Sequence, residues 1–68
     1  MILTKDLSVT GPAFQSQFGL VSPVEWCFQE AKRMNNYRNM LRVRGLQTQP
    51  RVKVVQTPNL IWIEEVAQ

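Results

Sequence analysis

The chain has 68 residues with eight Lys and Arg, five Asp and Glu, one Cys and no His, which gives a formal net charge of +3. Because Cys27 is alone and histidine is absent, the composition excludes an internal disulfide, a Cys/His zinc site and histidine-based catalysis. A single small domain over residues 1–68 is expected, and a chain this short usually needs a ligand or a partner chain to supplement its core.

The N-terminal third predicts two short elements. Residues 2–4 suggest a short strand. Residues 12–18 suggest a two-turn helix, because Pro12 suits the first helical position, Phe14 and Phe18 share one face at i, i+4, and Gly19 would end it. There is no basic start followed by an apolar run, and no stretch of about 20 apolar residues, so a cytoplasmic location is expected.

The strongest helix signal begins at Ser22. Ser22 is a good N-cap, Pro23 suits the first helical position, and Glu25 completes a capping box three residues after the cap. Gly45 is the expected end, since glycine readily takes the left-handed conformation that terminates helices. These signals bound a helical stretch from residue 23 to residue 44.

The apolar pattern within this stretch changes direction. Its first half forms one apolar stripe on a helical wheel, but Tyr37 and Leu41 are displaced from the centre of that stripe by about 100°. The sequence therefore predicts a break at residues 35–36, between a helix over 23–34 and a second over 37–44. One continuous helix whose halves face different partners remains the alternative.

The C-terminal third predicts a β-hairpin. Residues 51–54 alternate polar and apolar side chains, residues 57–59 are turn-forming, and residues 60–63 are β-branched and aromatic, as in a strand buried on both sides. The expected fold class is therefore α+β: a small helical domain with a C-terminal hairpin over residues 51–65, similar in order to a winged helix-turn-helix.

The charge is strongly uneven along the chain. Residues 32–53 hold seven of the eight basic residues and no Asp or Glu, while each flanking segment has a net charge of −2. A basic block of this kind is typical of proteins that bind polyanions. Together with one asparagine it gives the expected nucleic-acid-binding set: Lys32, Arg33, Arg38, Asn39, Arg42, Arg44, Arg51 and Lys53.

The expected roles within this set follow from position. Arg38, Asn39 and Arg42 would share the exposed face of the second helix, where arginine reads guanine and asparagine reads adenine in the major groove. Lys32, Arg33 and Arg44 would hold phosphates near the helix ends. Arg51 and Lys53 would meet the duplex from the first strand of the hairpin.

The remaining chemically notable residues are expected to be structural. Cys27 lies on the apolar stripe and is expected in the core. A domain this small is expected to bury its large aromatic side chains as well, namely Phe14, Phe18, Trp26, Phe28 and Trp62. Glu64 and Glu65 are adjacent on a strand and would point to opposite faces, so they cannot act as a catalytic pair.

Two resemblances accompany these patterns. The segments YRNMLRVRG at 37–45 and LIWI at 60–63 resemble, in element order and charge, the small winged helices of phage excisionases and related DNA-architecture proteins. This resemblance covers about half of the chain, contains no diagnostic motif and implies a DNA-binding accessory role. The size and basic pI also resemble small basic linker polypeptides of protein assemblies.

The sequence thus predicts a small, basic, non-enzymatic DNA-binding protein, a regulatory or architectural accessory factor without a cofactor or metal. It would use helix 37–44 and the 51–65 hairpin, either alone or as a homodimer. The alternative is a protein–protein interaction module or basic linker that binds an acidic partner through Tyr37, Met40 and Leu41. Binding of single-stranded RNA through Tyr37 ranks third. An unbroken helix through residues 35–36 would favour the protein-binding alternative.

Overall fold

A computed structural model describes residues 3–46 and 49–66 of the chain. The fold is α+β, with one long helix on a three-stranded antiparallel sheet of order β1-β5-β4 and a separate β2-β3 hairpin. The elements in chain order are β1 (Leu7–Ser8), β2 (Phe14–Ser16), β3 (Gly19–Val21), α1 (Pro23–Val43), β4 (Val52–Gln56) and β5 (Leu60–Glu65).

Both predicted ends of the long helix are confirmed. At the start, the Ser22 hydroxyl accepts a hydrogen bond from the Glu25 backbone N–H at 3.2 Å. At the end, Gly45 has a φ of +73°, and the N–H of Leu46 donates to the carbonyl of Leu41 at 2.8 Å. With the bond from Gly45 N–H to the Arg42 carbonyl, this is the Schellman pattern that terminates helices at glycine.

The predicted break at residues 35–36 is wrong, because α1 is continuous from Pro23 to Val43. Asparagine interrupts helices when its side chain bonds to the local backbone. The Asn35 amide instead bonds to the backbone of Val52 on β4, at 3.1 and 2.8 Å, so it leaves the helical ladder intact. The expected winged helix-turn-helix is not shown, since it requires a second helix and the described residues contain only α1. No helix among the described residues is apolar and long enough to cross a membrane.

The predicted helix over residues 12–18 is also wrong, because this segment contains β2 and the turn that leads into β3. Gly19 has a φ of +95°, which suits the residue that follows the turn in many hairpins. The Ser16 hydroxyl accepts from the N–H of Phe18 at 3.1 Å and donates to the Gly19 carbonyl at 3.0 Å. A glycine that could end a helix therefore completes a turn, and the polar side chain of Ser16 stabilises that turn.

The N-terminal strand lies later than expected. Residue 2 lies outside the described residues, and β1 is formed by Leu7–Ser8, where Leu7 pairs with Ile61. Leu3 and Thr4 are not in a strand, but both bond to Ile63: the Leu3 N–H donates to its carbonyl at 2.8 Å, and the Thr4 hydroxyl accepts from its N–H at 3.0 Å. The N-terminal segment therefore still lies along β5, on the same side of that strand as β1.

The C-terminal hairpin is confirmed as β4 and β5, with Val54 opposite Ile63 and Val55 opposite Trp62. Only one face of its second strand is covered. Ile61 and Ile63 are fully buried, whereas Trp62 is half-buried and Leu60 is 37% exposed. The expected burial of β5 on both faces is therefore wrong, because α1 covers a single face of the sheet.

The core consists of medium-sized side chains between α1 and the sheet, namely Cys27, Ala31, Val52, Ile61 and Ile63. The expected burial of Cys27 is confirmed, and this burial raises the pKa of its thiol. None of the five aromatic side chains expected in the core is fully buried, and Phe28 is 54% exposed. A single helix on a small sheet leaves too little interior volume to enclose these aromatic rings.

Candidate interaction surfaces of helix α1

Arg38 is buried rather than exposed. Only 9% of the residue is exposed, and its Nη1 donates to the Pro50 carbonyl at 2.6 Å and to the Glu65 carboxylate at 3.1 Å. The expectation that it shares an exposed, base-reading face with Asn39 is therefore not met. Arg38 ties the centre of α1 to the end of β5 and to the segment that enters β4.

Arg33 is exposed but paired. Its Nε and Nη2 donate to the two Glu30 carboxylate oxygens at 2.7 and 2.9 Å, and the Gln17 amide donates to the same carboxylate at 2.9 Å. The hydrogen bond from Arg33 is the main cause that lowers the pKa of Glu30, and the same bond raises the pKa of Arg33. This network joins the β2-β3 hairpin to α1.

Lys53 is the third basic side chain with an acidic partner. Its Nζ lies 3.6 Å from the Glu64 carboxylate, which also accepts from Trp62 Nε1 at 3.3 Å. Glu64 and Glu65 thus bind partners on opposite faces of β5, as the sequence predicted. Lys53 lies on the sheet face that α1 does not cover, away from the basic residues of the helix.

The four remaining basic residues of the predicted set are exposed. Within residues 3–46 and 49–66, no carboxylate lies within ion-pair distance of Lys32, Arg42, Arg44 or Arg51. The basic block of the sequence is therefore reduced to these four uncompensated cations, all on α1, just after it or just before β4. Asn39, the remaining predicted site residue, is exposed among them.

Two of these cations line one pocket between α1 and the start of β4. This pocket, here named the Asn–Arg pocket, has a volume of about 310 Å³ and is lined by Asn35, Asn36, Asn39, Arg42 and Arg51. Arg42 Nη2 donates to the Gln49 carbonyl at 2.9 Å, which leaves its other N–H groups available. Among the residues that the structure describes, no acidic side chain lines the pocket. Three of its five residues belong to the predicted site, whereas Asn35 and Asn36 were expected to form a turn beside it.

A second surface is formed by one row of side chains along α1. These residues repeat at alternating intervals of four and three, so they share one side of the helix. This outer row comprises Trp26, Glu30, Arg33, Tyr37, Met40 and Arg44.

The β2-β3 hairpin covers only the first half of the outer row. Phe14 packs on Trp26 with ring centroids 6.2 Å apart, and Gln17 bonds to Glu30. Beyond Glu30 the row is uncovered, with Tyr37 55% and Met40 41% exposed. The sequence indicated this second apolar direction at Tyr37, but it could not show where the hairpin would end.

The chain matches no protein-family model, no curated protein and no solved structure in comparisons with all three.

Proposed function

We propose that the protein is a non-enzymatic protein-binding module that docks an acidic segment of a partner protein on helix α1. The observation that carries this proposal is the uncovered second half of the outer row on an unbroken helix. Tyr37 and Met40 are exposed there, about two to three helical turns beyond Glu30, where the contact with the β2-β3 hairpin ends. An exposed aromatic residue beside methionine is typical of protein-binding surfaces.

The charge around these two residues favours an acidic partner. The apolar centre of the uncovered half lies between Arg33, which is paired with Glu30, and the uncompensated Arg44, at four residues on either side. Residues 31–53 contain no Asp or Glu, so no acidic side chain of this segment opposes a negatively charged partner. The fitting occupant is an acidic amphipathic helix, whose apolar side chains at i, i+3 or i+4 would lie on Tyr37 and Met40.

The test is titration of the full chain with an acidic peptide that carries leucine at heptad spacing and glutamate elsewhere. A peptide with lysine in place of glutamate is its charge-reversed control. We expect the acidic peptide alone to bind, to shift backbone amide NMR signals around Tyr37 and Met40, and to bind about tenfold more weakly to Tyr37→Ser.

Val43→Ser is the matched control variant, because Val43 is apolar and 79% exposed but does not belong to the outer row. Its affinity for the acidic peptide should stay within about twofold of the parent protein. Absence of binding, binding of both peptides alike, or equal weakening by Val43→Ser and Tyr37→Ser would contradict the proposal.

A second candidate function is binding of duplex DNA as a regulatory or architectural accessory factor. Its specific support is the set of four uncompensated cations on and beside α1. Because Arg38 is buried and no separate recognition helix is present among the described residues, the contacts would be with phosphates rather than with base edges. This candidate accounts for the charge but not for the exposed apolar half of the outer row.

The salt dependence of binding to random duplex DNA tests this second candidate. Four phosphate contacts predict a slope of log K against log salt concentration of about −3.6, from about −0.9 for each contact. Arg38→Gln should not change this slope, whereas Arg44→Gln should make it shallower by about one contact. No detectable binding at about 50 mM salt would exclude this function.

A further inference from the structure

We infer that the Asn–Arg pocket is a binding site for a phosphate group. The inference does not rest on the docking of a protein, because Asn39 and Arg42 lie about 100° or more around α1 from Tyr37 and Met40.

One wall of the pocket is held in place by hydrogen bonds. The Nδ2 and Oδ1 atoms of Asn35 both form hydrogen bonds with the backbone of Val52. These bonds join α1 to β4 at the pocket. Arg42 is tied by one nitrogen to the carbonyl of Gln49. The pocket therefore exists before a ligand arrives, and a ligand pays little ordering cost on binding.

The side chains that line the pocket offer mainly hydrogen-bond donors. Arg42 and Arg51 each have five guanidinium N–H groups and no acceptor, and Asn36 and Asn39 each add an amide NH₂. A phosphate group presents three or more strong acceptor oxygens and suits the guanidinium fork, so it can engage both arginines at once.

The charge of the pocket also favours a bound anion. Two guanidinium groups line one pocket without an acidic side chain, and their mutual repulsion is relieved by a negative group between them. A volume of about 310 Å³ leaves room for the phosphate and for part of the group that carries it. The phosphate could belong to a small phosphate ester or to a nucleic acid backbone, and the two sources share this chemistry.

The test follows the side-chain amide NMR signals of Asn36 and Asn39 at constant ionic strength. The probes are inorganic phosphate, adenosine monophosphate and a short DNA duplex, with acetate as the anion control. We expect saturable shifts with inorganic phosphate, and also with either adenosine monophosphate or the duplex. Saturation with adenosine monophosphate supports a small ester, whereas saturation with the duplex but not with adenosine monophosphate supports a nucleic acid backbone.

Arg51→Gln should weaken the binding of whichever phosphate probe saturates by about tenfold, because it removes charged hydrogen bonds to the ligand. Lys5→Gln is the matched control, since it removes one positive charge from an exposed residue that neither lies on α1 nor lines the pocket; its affinity should stay within about twofold. The inference is overturned if neither phosphate nor duplex moves the two amide signals, if acetate moves them equally, or if both variants weaken binding alike.

Discussion

The Asn35 side chain forms two hydrogen bonds with the backbone of Val52: its Nδ2 donates to the carbonyl at 3.1 Å, and its Oδ1 accepts from the N–H at 2.8 Å. β4 is an edge strand of the sheet, and the Asn35 amide bonds to backbone groups of Val52 that would otherwise be available to pair with a further strand. Helix α1 thereby closes part of the sheet edge, and the same residue keeps the helix continuous where the sequence predicted a turn.

Replacement of Asn35 by alanine should lower the free energy of unfolding by about 1–3 kcal/mol, because both backbone groups of the buried Val52 lose their partners. The measurement is equilibrium unfolding in urea. Asn36→Ala is the matched control: it gives the same gain in helix propensity at an exposed neighbouring position and should change stability by less than about 0.5 kcal/mol. Equal effects of the two substitutions would contradict the role assigned to Asn35.

Arg38 and Glu65 should be energetically coupled in folding. Arg38 is buried and Glu65 is partly buried, so removal of either side chain leaves the other without its charged partner. A double-mutant cycle with Arg38→Met and Glu65→Gln should give a coupling energy of about 1–3 kcal/mol by urea unfolding.

The Lys53–Glu64 pair provides the control for that cycle, because its lysine side chain is half exposed and the two charged groups are 3.6 Å apart. A cycle on this pair should give about 1 kcal/mol or less. A coupling for Arg38 and Glu65 that is no larger than this value would show that the buried pair does not hold α1 to β5.

Gly45→Ala should destabilise the protein by about 1–2 kcal/mol, since an L side chain is strained at the φ of +73° that ends α1. Space is not the cause, because no atom of the described residues, apart from the two adjacent ones, lies within 4 Å of the position of a Cβ. Gly45→Asn should cost less, as asparagine tolerates left-handed backbone better than alanine does. Thermal unfolding of the two variants checks this order, and an alanine variant as stable as the parent would contradict it.

The contact between Glu30, Arg33 and Gln17 should make stability depend on acid pH. Because the pKa of Glu30 is lowered from its ordinary value of 4.5 in the folded state, the contribution of its carboxylate is present above pH 4.5. It is lost as the pH falls below that value and through the folded-state pKa. Urea unfolding at pH 7 and at about pH 3 should therefore show a smaller difference for Glu30→Gln than for the parent protein.

Glu25→Gln is the control for this pH effect, because Glu25 accepts a hydrogen bond from Gln29 and has no cationic partner among the described residues. This variant should keep the pH dependence that arises from Glu30. If Glu30→Gln and Glu25→Gln reduced the difference between the two pH values equally, the network that joins the β2-β3 hairpin to α1 would not be its source.

Local signals were sufficient for several elements. The start of α1 at Ser22, its end at Gly45 and the β4-β5 hairpin were predicted correctly, since capping, left-handed glycine and period-two alternation are decided by neighbouring residues. The same signals failed over residues 12–18, because a glycine with positive φ suits the end of a helix and the turn of a hairpin equally.

The long helix and the basic residues depended on distant parts of the chain. Asn35 and Arg38 appeared on the wheel as polar residues that interrupt an apolar face, which indicated a break and an exposed site. Both side chains instead find partners on the β4-β5 hairpin, at least 12 residues away in sequence, and α1 remains unbroken. Pairing at such separation leaves no local pattern from which it can be predicted.

The sequence by itself determined the α+β class, the ends of α1, the C-terminal hairpin and the concentration of positive charge over residues 32–53. Only the tertiary structure decided which charges remain uncompensated, since Glu65 and Glu64 of β5 pair with Arg38 of α1 and Lys53 of β4. It also decided that Tyr37 and Met40 are exposed, because the β2-β3 hairpin covers α1 only as far as Glu30. Exposure and charge pairing depend on which elements pack together, and this packing is a property of the whole fold.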